Sequence, residues 1–460
     1  MMQRYVFRTL PIFFLLFVRL VFSQTLRVSD DARYLVYADG RPFFYLGDTA
    51  WELIHRLNRE EVDRYLQNRA QKGFTVIQTV VLAERNGLSE PNAYGHLPLR
   101  DNDPARPNEA YFKHVDDIVN KAEALGLFVG LLPTWGSYWS TKSSRAIFSP
   151  ENARAFGAFL GKRYQDKPII WILGGDQNIE NEREYQIIEA MAKGLKQSDQ
   201  GRHLITFHPR GPGLSSDYLH RADWLDFNMF QSSHGAHDHD NGLFAEHDYA
   251  LSPPKPTLDG EPRYETIQAG FYFDGANRLD RFDDYDCRQA AYWSLLAGAC
   301  GHTYGHNSVW QMWAPGREPV LNAAIPWAVA LDHPGAFQMG IVRRLFESRP
   351  FQKLVPHQAM ILGGPSSGGG KIRAALARDG SFALIYSPRG EPFTIDKSRI
   401  KATRSNEIWF DPRYEIAYKI HTADTHGIQT YTPPTQGRGN DWLLIIEDAD
   451  AGFPMPGFGK

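Results

Sequence analysis

The chain has 460 residues, 42% hydrophobic and 22% charged, a balance that excludes a disordered polymer and exceeds what one ordinary domain needs for its core. A net charge of −3 leaves no basic footprint for nucleic acid, and two cysteines are too few for a cysteine-rich zinc site. Aromatic residues make up 13%, with 11 tryptophans, which suits a large core or packing against the apolar faces of sugar rings.

The N-terminus reads as a secretory signal peptide over residues 1–23. Arg4 and Arg8 precede a short apolar run, Leu10 to Phe22, interrupted by Arg19, and cleavage is expected near Ser23 or Gln24. The run is short for a membrane span, and no cysteine follows closely enough for a lipoprotein anchor. The mature protein is therefore expected to be periplasmic or secreted, with no membrane partner after signal removal.

A hairpin comes next: Arg33 to Tyr37, an Asp39-Gly40 turn, then Arg41 to Phe44, expected to cap the bottom of the following domain. From about residue 43 to residue 335 apolar strands alternate with amphipathic helices. Phe43–Gly47 precedes a helix over Asn58–Lys72, and Thr75–Leu82 precedes one over Asn108–Leu125. Leu127–Leu132 is followed by Pro150–Tyr164, and Ile169–Leu173 by Glu182–Lys196. His203–Phe207 and Trp224–Met229 follow with weak helices after them. Lys255–Leu258, the helix Asp283–Gly298 and the strand Gly301–Gly305 close the series. Eight strand positions are the count of a TIM barrel, so the fold class is α/β, a (β/α)₈ barrel over residues 24–344. The helix between Cys287 and Cys300 should hold the two thiols apart, as unpaired buried cysteines.

After residue 345 the pattern becomes all-β. Lys371–Ala377, an Asp379-Gly380 turn and Phe382–Tyr386 read as a hairpin. Further strands are expected at Phe393–Ile395, Glu407–Phe410, Ile428–Tyr431 and Trp442–Ile446, with Gly363–Gly370 a flexible loop. Residues 345–460 are thus expected to form a β-sandwich domain.

Two strands end in carboxylates. Ile169–Leu173 runs through Gly174-Gly175 into Asp176, and Lys255–Leu258 runs through Asp259-Gly260 into Glu261. Alpha/beta barrels place their chemistry at the carboxyl ends of their strands. Glycosidic hydrolysis needs one group to protonate the leaving oxygen and another to attack the sugar carbon or activate a water. Asp176 is the candidate acid and base, Glu261 the candidate nucleophile, with Arg263 able to hold Glu261 ionised; Glu265 is a weaker rival and Asp259 suits packing or pairing.

The other rim residues are candidates for substrate contact. They are Asp48 and Trp51 after the first strand, Trp135 and Trp139 after the third, and His208 and Arg210 after the fifth. Gln231 and Ser232 follow the sixth strand, and Tyr304, His306 and Trp310 follow the eighth. Arg210 and Arg263 would suit an acidic glycan. His234, His237, Asp238, His239 and Asp240 have the composition of metal ligands. Neighbours in one loop rarely converge on an ion, so a solvated or substrate-binding loop is expected, with no metal and no cofactor.

Three stretches taken together resemble a known family: Phe44-Tyr45-Leu46-Gly47-Asp48-Thr49-Ala50-Trp51, Trp171-Ile172-Leu173-Gly174-Gly175-Asp176 and Asp259-Gly260-Glu261-Pro262. They are similar to the apiosidase-like catalytic domain, glycoside hydrolase family 140. Asp379-Gly380, Trp409-Phe410-Asp411-Pro412-Arg413 and Asp441-Trp442-Leu443 resemble a module named for collagen binding that often follows it. The resemblance implies a (β/α)₈ barrel that releases apiose-linked side chains from rhamnogalacturonan II, with Asp176 as acid/base and Glu261 as nucleophile. The barrel is also similar to the large clan with carboxylates after strands four and seven. That clan usually has Asn-Glu where this chain has Gly175-Asp176, so the carboxyl is one methylene shorter here.

The expected protein is a secreted or periplasmic glycoside hydrolase acting on a pectic polysaccharide or oligosaccharide. The competing class is a non-catalytic carbohydrate- or matrix-binding protein on a barrel scaffold.

Overall fold

The computed structural model describes residues 25–425 and 427–457; the expected signal peptide, residues 1–23, lies outside the described residues. The central sheet has nine strands, of which only the short Gly213–Leu214 runs antiparallel to its neighbour. The other eight form the barrel in chain order: Tyr45–Thr49, Val76–Leu82, Phe128–Thr134, Ile169–Gly174, Ile205–His208, Asn228–Gln231, Thr257–Asp259 and Gly301–Tyr304. Every residue of the second, third and fourth strands is buried, as a parallel sheet covered on both faces requires. The first strand pairs with the eighth, Gly47 opposite Thr303. The fifth and sixth strands meet through the Asp226 N–H on the Ile205 carbonyl at 2.9 Å and the Thr206 hydroxyl on the Phe227 carbonyl at 2.7 Å. The barrel thereby closes on itself.

Its helices start where their caps dictate. Asn58, Ser149 and Asp283 each accept from a backbone N–H in the first turn, and the residue at that position reaches back to the cap. Helix Glu109–Ala124 begins at Asn108 and helix Glu182–Ser198 at Asn181 in the simpler one-way manner. After the fifth strand only the single turn Ser216–Leu219 forms, and after the sixth the nine-residue helix Gly242–Ala250. No helix among the described residues is long and apolar enough to cross a membrane.

The N-terminal hairpin carries one strand more than expected: Leu26–Val28 pairs with Leu35–Tyr37, which pairs with Pro42–Phe43. Phe43 packs edge-on against Phe128, at the start of the third barrel strand, with ring centroids 5.2 Å apart. The hairpin therefore covers the amino ends of the strands, opposite the rim that carries Asp176 and Glu261. Cys287 and Cys300 are both buried and unpaired.

Beyond helix Pro334–Glu347 the chain forms two antiparallel sheets. The larger has six strands in the order Leu354–Pro356, Arg373–Ala377, Phe382–Ser387, Trp442–Asp448, Arg404–Asp411, Ile416–Asp424. The smaller orders Ile361–Gly363, Phe393–Asp396 and Ile428–Tyr431. Alternation along the strands sends one set of side chains, Leu376, Ile385, Trp409 and Leu444, against the small sheet. The other set, Ala375, Leu384, Tyr386, Phe410 and Leu443, packs on the barrel through Tyr292, Leu345 and Phe346. Charged contacts fasten the same seam. Arg288 forks onto Asp441 at 2.8 and 3.0 Å, and Arg373 holds Asp240 at 2.7 Å.

Two expectations are corrected in this region. Ile416–Asp424 is a strand, though its sequence lacks an apolar run; it lies at the sheet's edge, and Ile416, Tyr418 and Ile420 are exposed. Gly363–Gly370 is not a free loop throughout, because Gly369 and Gly370 are buried and Gln289 on the barrel donates to the Gly369 carbonyl at 2.9 Å.

Candidate active site

The fourth barrel strand ends in a turn that few residue types can make. Gly174, Gly175 and Asp176 all have positive φ, at 92°, 87° and 56°. A Cβ on Gly174 would lie 2.3 Å from the His208 carbonyl oxygen, so the close approach of strands four and five also demands glycine. Aspartate tolerates the left-handed region better than most side chains. Four hydrogen bonds hold the turn: Trp139 Nε1 on the Gly174 carbonyl at 2.6 Å, the Gly136 N–H on the Gly175 carbonyl at 2.8 Å, the Gly175 N–H on the His208 carbonyl at 3.2 Å, and the Asp176 N–H on His208 Nδ1 at 3.2 Å.

The seventh strand delivers the second carboxyl. The Gly260 N–H binds the Phe230 carbonyl at 2.8 Å and Gln78 Nε2 donates to the Gly260 carbonyl at 3.0 Å, fixing the chain one residue before Glu261. Glu261 Oε1 lies 3.1 Å from His234 Nε2, and Oε2 lies 3.2 Å from His208 Nε2. Because His208 Nδ1 faces an N–H donor, the hydrogen-bond network assigns the ring proton to Nε2, on the side of Glu261. The ring of His208 is itself buried and packs edge-on against Trp51 at 5.4 Å.

Asp176 and Glu261 line one cavity of about 370 Å³. Trp51, Trp135, Trp310, Tyr264, Phe271 and Tyr272 supply its aromatic walls, and Arg210, Gln231, Ser233 and His234 supply polar groups. Asp176 opens onto this space but is otherwise enclosed by protein. Burial, then the charges of Glu261 and Glu84, push its carboxyl well above the ordinary aspartate range, against a hydrogen bond from Gln231 and the charge of Arg210. Glu261 moves the other way. Burial alone would raise it, but the imidazoles of His208 and His234, one beside each oxygen, bring it down to about 2. Two carboxyls in one cavity with their acidities driven apart can divide the work of acid and nucleophile.

A third carboxyl, Glu84, also lines the cavity. Burial and the charge of Glu52 push it up to about 7, with Arg85 opposing. The sequence reading missed it, although it stands two residues past the second strand, Val76–Leu82, in the same rim position that marked Asp176 and Glu261. Tyr264, Phe271 and Tyr272 were missed as well, and His234 was seen only as part of a His/Asp-rich loop.

Among the expected substrate-contact residues, Trp51, Trp135, Arg210, Gln231 and Trp310 reach the cavity. The others do not line it. Asp48 is fully buried and binds Tyr65 and Arg69 Nε, the latter at 2.7 Å, as counter-ion to a buried guanidinium. Trp139 is spent on the Gly174 carbonyl. His208 lies behind the cavity wall and contacts Glu261 rather than a sugar. Arg263 does not pair with Glu261; its guanidinium is buried, donating to the His237 carbonyl and, at 3.0 Å, to Gln289 Oε1. Tyr304 donates to Glu265 at 2.5 Å, and His306 caps the turn Asn307–Trp310 and sits 3.1 Å from His333 Nδ1.

The rivals are engaged elsewhere too. Glu265 accepts from Tyr304 and from the Gly335 N–H at 3.1 Å. Asp259 accepts from Ser232 at 2.6 Å and Asn241 at 3.0 Å, which withdraws Ser232 as a substrate partner. The His/Asp-rich loop splits up. His234 goes to Glu261, His237 sits between Asp286 and Asp280, Asp238 meets Arg389 and Asp240 meets Arg373 and Lys371. Among the described residues no three or more His, Cys, Asp or Glu side chains converge as metal ligands would.

Residues 29–353 match the family described as "Apiosidase-like, catalytic domain", and residues 355–447 match "Putative collagen-binding domain of a collagenase". The chain is 34% identical to a solved structure titled a glycoside hydrolase, over 94% of this chain and 98% of that one, with a TM-score of 0.86. It is 32% identical to a solved structure titled a glycoside hydrolase family 5 protein from Bacteroides vulgatus, over 94% and 95% of the two chains, also with a TM-score of 0.86. A solved structure titled "putative glycoside hydrolase" from the same organism, 16% identical over 92% and 82% of the two chains with a TM-score of 0.65, shares the fold. No curated protein matches.

Proposed function

The chain belongs to the apiosidase-like family of glycoside hydrolases, and from that premise we propose that it cleaves apiosidic linkages of rhamnogalacturonan II by a two-carboxylate mechanism. The observation that carries the mechanism is the opposite displacement of the two cavity carboxyls: Asp176 upward, Glu261 down to about 2.

In the first step the Asp176 carboxyl gives its proton to the glycosidic oxygen as the bond from that oxygen to the anomeric carbon breaks. A carboxylate oxygen of Glu261 forms the new bond to that carbon. In the second step a water oxygen attacks the anomeric carbon, its proton passes to the Asp176 carboxylate, and Glu261 leaves ionised. The imidazoles of His208 and His234 orient Glu261, one on each oxygen. Trp51, Trp135 and Trp310 offer apolar faces to the sugar, and Arg210 and Gln231 offer polar groups.

The pectic substrate rests on the family and on Arg210, whose guanidinium is half exposed at the cavity and would suit an acidic glycan. The N-terminal basic and apolar run supports a periplasmic or extracellular location, which N-terminal sequencing of the mature chain tests. Incubation with rhamnogalacturonan II and a panel of other pectic glycans, followed by product analysis, tests the substrate. Release of apiose-bearing products from the former alone supports the assignment, and release from a different glycan alone overturns it.

A further inference from the structure

Next to the active cavity lies a second, of about 540 Å³, bounded by Phe273, Asp274, Arg278 and Asn322. Phe271 and Leu321 line both, so the two spaces share a wall. The wall is a built feature. Leu321 and Asn322 have φ of 47° and 53°, a backbone region that leucine rarely enters. Buried amides hold it there: Gln311 Oε1 accepts from the Val320 N–H at 2.8 Å, Gln311 Nε2 donates to the Val320 carbonyl at 3.0 Å, and Asn307 Nδ2 donates to the Leu321 carbonyl at 3.1 Å. Strain kept up by surrounding structure clusters at sites that hold ligands.

An aromatic ladder runs outward across this wall. From His234, which touches Glu261, the ring centroids step 5.9 Å to Phe271, 5.0 Å to Tyr272 and 4.7 Å to Phe273. The Tyr272 hydroxyl is tied to Ser233 at 3.2 Å, so its ring is fixed. Yet Tyr272 and Phe273 are 42% and 59% exposed. Rings of this size held open to water beside a cavity are a surface awaiting an apolar partner. The sugar ring has such a face, and its hydroxyls need the kind of polar groups that Asp274, Arg278 and Asn322 supply.

We propose that the second cavity is a subsite for a further sugar residue of the same glycan, with Phe273 as its stacking face. The enzyme would then recognise an oligosaccharide rather than a single residue. The subsite rests on the glycosidase reading, because its occupant is the continuation of the chain whose bond lies between Asp176 and Glu261.

Calorimetric titration of the full-length Asp176→Asn protein with pectic oligosaccharides graded by length separates the possibilities. Affinity is expected to rise when the ligand becomes long enough to fill both cavities. Adding Phe273→Ala is expected to weaken that longer ligand by roughly three- to tenfold, the effect of losing one aromatic contact, and to cost the shortest binding ligand less than half as much. Arg278→Ala should show the same length dependence. Affinity independent of length, or unmoved by Phe273→Ala, overturns the subsite and leaves the glycosidase reading standing. Failure of every oligosaccharide to bind overturns both the pectic substrate and the subsite.

Discussion

His208 Nε2 stands 3.2 Å from Glu261 Oε2, while its Nδ1 receives the backbone N–H of Asp176, so one buried ring joins the two carboxyl-bearing turns of the cavity. His234 completes the arrangement from the other side, 3.1 Å from Glu261 Oε1. The consequence is chemical. A carboxylate flanked by an imidazole at each oxygen, and hydrogen-bonded by His234, is stabilised in its ionised form, and the neighbouring Asp176, facing that negative charge in a buried place, keeps its proton.

Removing one imidazole should expose this division of labour. In the unmutated protein Glu261 remains ionised down to about pH 2, so its protonation should not limit kcat/KM between pH 3 and 6. His234→Ala removes a group that lowers Glu261, so the acid limb of kcat/KM should move to higher pH. A pH–rate profile of the variant with an unshifted acid limb would contradict the role given to His234.

Glu84 acts on the other limb. As pH climbs through about 7 and Glu84 ionises, its negative charge helps hold Asp176 in the protonated form. Glu84→Gln takes that charge away, so Asp176 should lose its proton at lower pH and the alkaline limb of the profile should move toward acid. A simple loss of binding would raise KM at every pH and leave the limb in place.

Stability should also depend on pH through His237, which hydrogen-bonds Asp286 and Asp280 and is raised to about 9 in the folded chain. A histidine raised above its unfolded value near 6.5 contributes stability that is complete below that value and disappears as pH climbs through the folded value. The difference in Tm between the unmutated protein and His237→Gln should therefore be largest below about pH 6.5 and shrink toward pH 9. A difference independent of pH would rule out this linkage.

The seam between barrel and β-sandwich offers a test by stability alone. Arg288 and Asp441 are both fully buried and bonded by two N–H···O contacts. Asp441→Ala leaves the guanidinium with only Asp284 and Gln338 and should cost about 3–5 kcal/mol of unfolding free energy. Chemical denaturation checks this. A loss below about 1 kcal/mol would mean that the guanidinium finds other partners.

Much of this molecule was legible in its residues, for reasons that also mark where reading stopped. The second, third and fourth barrel strands are apolar along their whole length because both faces are covered, so they stand out from any context. Ile416–Asp424 lies on an edge, mixes lysine and histidine with exposed isoleucines, and carries no such run. Asp176 and Glu261 are marked in the sequence by their place at strand ends, and both line the cavity. Glu84 has the same place and was passed over because its strand is followed by a long polar loop. Position on the rim does not say which way a side chain turns: Asp48 and Tyr304 sit at strand ends and point into buried hydrogen bonds with Arg69 and Glu265. Nor could the partner of Glu261 be read locally, since His208 and His234 come from different strand ends and displace the adjacent Arg263 from that role.

The central claim is that Asp176 and Glu261 work on the same bond, one as proton donor and one as nucleophile. Its most direct test is kcat/KM on rhamnogalacturonan II oligosaccharides for the unmutated protein, Asp176→Asn and Glu261→Gln, each with its Tm measured in parallel. The account predicts that each substitution lowers kcat/KM by about 10²–10⁴-fold or more while the fold stays intact. Either variant turning over substrate within about threefold of the unmutated enzyme would contradict it.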